Sequence, residues 1–268
     1  MGIAGIIDDW DAALAALAWQ VEAGVDEVLG DAPVNRYELP AEAPRAARGV
    51  ETAPVRAAVT APPAAAPATD AVAEAQVAAA AAQTLEELRA AMAAFPHCEL
   101  RQGARNMVFA DGTAAARVMV IGEAPGREED QEGRPFVGRP GQLLDRMFAA
   151  IGLSRSSPDS KHALYLTDVL PWRPLGDHPP QPAEIAMLRP FVQRHIALAD
   201  PQVIVTMGNT PLGCLTGQSG VLRLRGQWLQ ALDRPLLVMT HPAYLLQTPA
   251  AKREAWADLL SLQQRLRG

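Results

Sequence analysis

Apolar runs and amphipathic segments alternate along the second half of the chain. "RVMVIG" (117–122), "ALYLTDVL" (163–170), "QVIVTMG" (202–208) and "PLLVMT" (235–240) are short apolar runs that read as strands. Between and after them the apolar positions fall at helical spacing. Leu143, Leu144, Met147, Phe148 and Ile151 mark one helix, "PAEIAMLRPFVQRHIAL" a second, and "REAWADLLSLQQRL" closes the chain as a third. Strands alternating with helices imply an α/β fold: a single three-layer domain with a mostly parallel four-stranded central sheet and helices on both faces.

The first third of the chain follows other rules. Within residues 1–38, Trp10, Leu14, Leu17, Val21, Val25 and Val28 form an apolar stripe, with acids on the other face. This amphipathic helix segment either packs on its own domain or docks on a partner. From 39 to 82 alanine and proline dominate and large apolar residues nearly vanish. Such a stretch cannot offset its ordering entropy by burial, and it reads as a disordered linker. The folded body is expected over 83–268, opening with the helix "TLEELRAAMAAF", capped by Thr84 with Glu87 three residues on.

Charge sharpens this division. Residues 1–94 hold 14 acidic and 5 basic residues, and the remainder holds 16 acidic and 19 basic, so the net −6 hides a mildly basic C-terminal body. That balance permits a nucleic-acid partner without demanding one. The two cysteines, Cys98 and Cys214, are far apart and offer no metal-ligand spacing. No basic signal-peptide start and no bilayer-length apolar run occurs, so a soluble cytoplasmic protein without membrane contact is expected.

In parallel α/β sheets ligands bind at the carboxyl edge of the strands. Here the strands end in Gly122-Glu123, Thr167-Asp168, Gly208-Asn209 and Thr240-His241, so a glycine-rich loop, a carboxylate, an amide and an imidazole should line one crevice. The loop after the first strand carries five glycines and three prolines within 118–147, yet also Glu123, Glu128, Glu129, Asp130 and Glu132. That much negative charge argues against a phosphate ligand. Gly122 and Gly126 allow close backbone approach, and Pro125 fixes the turn. Phe136 is either a core anchor for the loop or a stacking platform for a planar group. Pro242 stops the last strand and turns His241 toward the crevice.

The motifs "GEAPGREEDQEGRPFVGRPGQLLDRM", "YLTDVLPWRP", "RLRGQW" and "HPAYLL", in that order, resemble a family-4 uracil-DNA glycosylase over about residues 95–262. The resemblance implies a single α/β domain that hydrolyses the N-glycosidic bond of a flipped-out uracil in DNA. It implies that Gly122, Ala124, Pro125 and Gly126 wrap the base while Phe136 stacks on its face. His241 would donate to the uracil oxygen that becomes negative as the bond breaks. Ala124 stands where better-studied relatives carry an aspartate base. Glu123, Glu129 and Asp130 match the family pattern, either positioning water or bracing the loop. Asn209 joins the base-binding set, and Arg173, Arg223 and Arg225 are candidate phosphate contacts.

Three departures bear on function. The positions of the family's four cluster-binding cysteines read Phe95, Cys98, Trp172 and Leu188, so no iron–sulfur centre and no other cofactor is expected. The family's asparagine is Asp168, and an ionised carboxylate would only accept hydrogen bonds at the uracil edge. Three outcomes are open. A raised pKa could make Asp168 a neutral acid that serves uracil, the carboxyl could accept from an amine such as cytosine N4, or catalysis could be weak or lost. Finally, Pro174-Leu175-Gly176-Asp177-His178 and Gln247 replace polar or basic family positions near the DNA. Competing with a monomeric, metal-free DNA enzyme are a catalytically weak nucleic-acid-binding module and an interaction protein docked through its N-terminal helix.

Overall fold

A computed structural model describes residues 68–267. The expected N-terminal helix of 1–38, and the linker up to residue 67, lie outside the described residues.

In chain order the elements are α1 (Ala68–Ala81), α2 (Leu85–Ala94), β1 (Asp111–Gly112), β2 (Val118–Gly122), α3 (Arg127–Glu132) and α4 (Gly138–Ala149). Then come β3 (Leu164–Asp168), α5 (Pro182–Ala199), β4 (Val203–Met207), α6 (Asn209–Thr216) and α7 (Val221–Leu224). The chain continues through β5 (Trp228–Ala231), β6 (Arg234–Met239), α8 (Pro242–Gln247) and α9 (Lys252–Arg267).

The sheet order is β1-β3-β2-β4-β6-β5. The four expected strands form its parallel centre, and β1 and β5 add antiparallel edges. The hairpin joining β5 to β6 turns at Leu232 and Asp233, both in the left-handed region (φ 51° and 60°). A two-residue turn of this kind usually advertises itself by Asn-Gly or Asp-Gly, and Leu-Asp gives no such signal.

Every residue of β2, β3 and β4 is buried, as a sheet covered on both faces requires. Alternation of side chains sorts the core into two layers. Met119, Ile121, Tyr165, Ile204, Leu236 and Val238 face the layer holding Leu88 of α2, Phe191 of α5 and Leu212 of α6. Val120, Leu166, Val205 and Leu237 face Leu144 and Phe148 of α4 and Leu259 and Leu262 of α9.

One sequence-based boundary is corrected. The stretch 39–82 is not unstructured to its end, because Ala68–Ala81 forms α1 and lies along α5, with Ala75 and Ala79 buried. Alanine buries little area, but its small size lets two helix backbones approach closely. Arg194 of α5 reinforces the junction, donating through Nε (2.8 Å) and Nη2 (2.6 Å) to the Ala82 carbonyl. At the start of α2 the expected cap is present: Thr84 Oγ1 accepts from Glu87 N (3.1 Å) and the Glu87 carboxylate accepts from Gln83 N (2.6 Å).

The topology places the site. From β2 the chain crosses to β3 on one side, then returns past β2 to β4 on the other. The direction therefore reverses between β2 and β4, and a crevice opens at their carboxyl ends.

Candidate functional site

At that crevice β2 and β3 end together, Gly122 paired with Asp168. A side chain at Gly122 would overlap the Asp168 carboxyl and come within 2.7 Å of the Phe136 ring, so only glycine lets these three groups meet. The Phe136 and His241 rings stack with centroids 5.6 Å apart and planes inclined by 26°. The glycine turn, the aromatic plate, the carboxyl and the imidazole are thus brought to one place from three strand ends and the loop after β2.

The loop bearing Phe136 is held by force rather than by local preference. Phe136 has φ 52°, a region that a bulky residue enters only when its surroundings impose it. Arg155, with 10% of its side chain exposed, imposes it by donating to the carbonyls of Pro135 (3.0 Å) and Phe136 (2.8 Å). The same guanidinium is anchored on Asp111 (2.9 Å) and Asp145 (2.8 Å). Arg155 was not among the sequence candidates, because nothing in its local pattern shows that β1 and α4 converge on it.

His241 caps α8, its Nδ1 accepting from Ala243 N at 3.2 Å. That leaves Nε2 to carry the ring proton in the neutral tautomer. Burial lowers the imidazole pKa below its ordinary value, with the nearby Glu123 charge opposing the shift, so the neutral form is favoured.

Asp168 is 8% exposed, and no hydrogen bond or cation reaches its carboxyl among the described residues. Burial, then the charges of Glu129 and Glu123, push its pKa well above the usual carboxylate value. A shift in that direction favours the protonated form, which carries one O–H donor beside an acceptor oxygen.

The loop acids have structural duties. Glu123 lies against Gly208, whose φ of 111° and lack of a side chain make room for it, and its Oε1 accepts from Thr210 N (3.1 Å) at the start of α6. Glu129 caps the start of α3, its carboxylate accepting from Gly126 N (3.1 Å), and burial raises its pKa. Asp130 is buried and accepts from Arg105 N (2.8 Å) and Asn106 N (3.1 Å). Ala124 is half-buried against the core and Pro125 is buried.

Beside His241 lies a cleft of about 320 Å³ lined by Glu123, Gly208, Asn209, Thr240, Tyr244 and Gln247, among others. Asn209 is tied down there, its Oδ1 accepting from Gly220 N (3.0 Å) and Val221 N (2.9 Å). The Thr240 hydroxyl is buried without a hydrogen-bond partner among the described residues.

The three candidate arginines differ in availability. Arg173 pairs with Asp177 through two contacts of 2.7 Å. Arg225 is committed to buried Asp258 and to Glu254. Arg223 is exposed and has no ion pair among the described residues.

Phe95, Cys98, Trp172 and Leu188 are all buried and belong to one apolar cluster. Burial pushes the Cys98 thiol up to about 11, so it is a protonated core residue. One thiol beside Phe95, Trp172 and Leu188, none of which offers a thiolate, does not fit a cluster that needs four thiolates. No group of three or more His, Cys, Asp or Glu suited to a metal ion occurs among the described residues.

A doubly wound sheet that brings an aromatic plate, a buried carboxyl and an imidazole together at its strand ends defines the class as an α/β protein with its site at the carboxyl edge of the sheet. The family model described as "Uracil DNA glycosylase superfamily" matches residues 109–260. The chain is 30% identical over 191 residues to the type-4 uracil-DNA glycosylase of Sulfurisphaera tokodaii, covering 68% of this chain and 84% of that protein. It is 33% identical over 153 residues to the type-4 enzyme of Thermotoga maritima, with 56% and 77% covered. For the Archaeoglobus fulgidus protein of the same name the identity is 31% over 171 residues, with 60% and 82% covered. The chain belongs to the uracil DNA glycosylase superfamily. Among the described residues no helix is long and apolar enough to cross a membrane.

Proposed function

We propose that this protein is a DNA-repair glycosylase that hydrolyses the N-glycosidic bond of a flipped-out uracil in DNA and leaves an abasic site. Membership of the superfamily supports the reaction class. The observation that carries the reading is the convergence of Gly122, Phe136, Asp168 and His241 at one strand-end crevice.

In this reading Phe136 stacks on the everted base while the turn from Gly122 through Ala124 and Pro125 to Gly126 wraps its edge. Asp168, as a neutral acid, donates to uracil O4 and accepts from N3–H. His241 donates from Nε2 to O2 as negative charge gathers there, which is worth about 3 kcal/mol, on the order of a hundredfold in rate. Uracil departs as a stabilised anion, so the attacking water needs little activation. Glu123, which lines the same cleft as His241 and Tyr244, positions that water. Arg223 contacts phosphate, and Arg173 does so when it exchanges Asp177 for DNA. Asn209 shapes the cleft by holding the loop before α7. The enzyme acts as a cytoplasmic monomer without a metal centre, and the N-terminal segment recruits a protein partner.

The experiment is a cleavage assay on a single-stranded uracil-bearing oligonucleotide, with alkali to reveal abasic sites. Wild type is expected to produce them and His241→Ala to lose most of that activity; no alkali-labile sites from wild type would refute the proposal. Iron analysis of the purified protein is expected to find none at stoichiometric level, and visible iron–sulfur absorbance would overturn the metal-free reading.

A further inference from the structure

Asp168 reads the base differently from an amide. An amide has a fixed nitrogen donor and a fixed oxygen acceptor, and reversing their order requires the side chain to rotate by half a turn. A carboxylic acid reverses the order by carrying its proton on the other oxygen, with every heavy atom in place. Uracil presents a donor at N3 and an acceptor at O4. Cytosine presents an acceptor at N3 and a donor at N4.

Nothing around Asp168 selects one order. No hydrogen-bond donor or acceptor and no cation reaches its carboxyl among the described residues, so neither oxygen is marked as the one to be protonated. Gly122 beside it offers no side chain, and the Phe136 ring offers only a face and an edge of carbon. The neighbouring charges, from Glu129 and Glu123, disfavour ionisation of the carboxyl.

Resting on the base-binding role given to Asp168 above, we infer that this pocket accepts both 4-oxo and 4-amino pyrimidines, the Asp168 carboxyl supplying donor and acceptor in either order. With uracil the protonated oxygen faces O4 and the bare oxygen accepts from N3–H. With cytosine the protonated oxygen faces N3 and the bare oxygen accepts from N4–H. One proton stays on the carboxyl in both complexes, so no acid or base has to be supplied.

The test is calorimetric titration of the wild-type protein with free uracil and with free cytosine at neutral pH. The two dissociation constants are expected to lie within about threefold of each other, whereas an edge reader fixed in one order separates them by roughly tenfold or more. A preference of that size for uracil, or no binding of either base, overturns the inference. Asp168→Ala, checked for an unchanged thermal transition, should weaken both bases alike; loss of uracil alone also overturns it. Should the variant fail to fold, the wild-type ratio decides by itself. Excision is read separately on oligonucleotides carrying either base. Binding of both bases without uracil removal contradicts the glycosylase reading while upholding the pocket's tolerance; uracil removal with cytosine rejected at both steps sinks the tolerance alone.

Discussion

Replacing His241 by alanine removes two separate things, a helix cap and a hydrogen-bond donor. The ring caps α8 through Nδ1, and losing a cap costs about 1 kcal/mol of stability. In a domain of this size that lowers the thermal midpoint by about 2–4 °C. In the proposed mechanism the ring also directs its Nε2 donor at the base oxygen, and losing such a donor should slow the chemical step by about 3 kcal/mol, on the order of a hundredfold. The two effects can be pulled apart with His241→Asn. Asparagine is a good cap, so this variant should recover the midpoint. Its shorter amide should not reach the oxygen, so the rate should stay low. The assay is single-turnover cleavage of a uracil oligonucleotide under saturating protein, beside a thermal melt of each variant. A rate loss below about threefold in the alanine variant would refute the donor role, since it would fall far short of what one aimed hydrogen bond supplies. Full recovery of rate with asparagine would mean that the cap alone explains the defect.

Excision should weaken as pH rises through the raised pKa of Asp168, because the ionised form loses its donor; Asp168→Asn should lack that alkaline limb, as a kcat/KM profile would show. Fold stability should follow the same sign, declining from the ordinary carboxylate pKa toward the raised value, because the unfolded chain ionises in that window while the buried acid keeps its proton. Arg155→Ala strips support from the Pro135 and Phe136 carbonyls and leaves Asp111 without its buried partner, which should cost about 3 kcal/mol in a denaturant titration and lower uracil affinity as well. Arg223→Ala should reduce the slope of log affinity against log salt by about one while leaving the melt unchanged. Arg225→Ala should do the reverse, since its loss strands Asp258 in the core.

The central sheet was legible because its strands are buried on both faces and therefore read as unbroken apolar runs. The ends of those runs also identified the crevice, since a parallel sheet sends every strand the same way. The edges were not legible. Asp111–Gly112 is too short to carry a pattern, and Trp228–Ala231 mixes apolar and polar residues as a half-covered edge does. α1 escaped notice because helix propensity in alanine is high but its low hydrophobicity resembles that of a linker; only the flank of α5 reveals what it covers. At the site, residue types pointed to Phe136, Asp168 and His241. Their surroundings could not be read locally. That Asp168 lacks any partner, that Arg155 pins the aromatic loop, and that Arg225 is spoken for by Asp258 all depend on residues distant in sequence, or on α4, β1 and the loop after α4 closing together.

The packing of α1 on α5 also decides where this molecule can be shortened. Trimming the chain at residue 83, where composition alone would invite the cut, peels a fitted lid from the flank that carries Arg194 and frees its grip on Ala82. Protein made that way should be prone to clump, whereas one begun a few residues ahead of Ala68 should behave in solution like the intact domain.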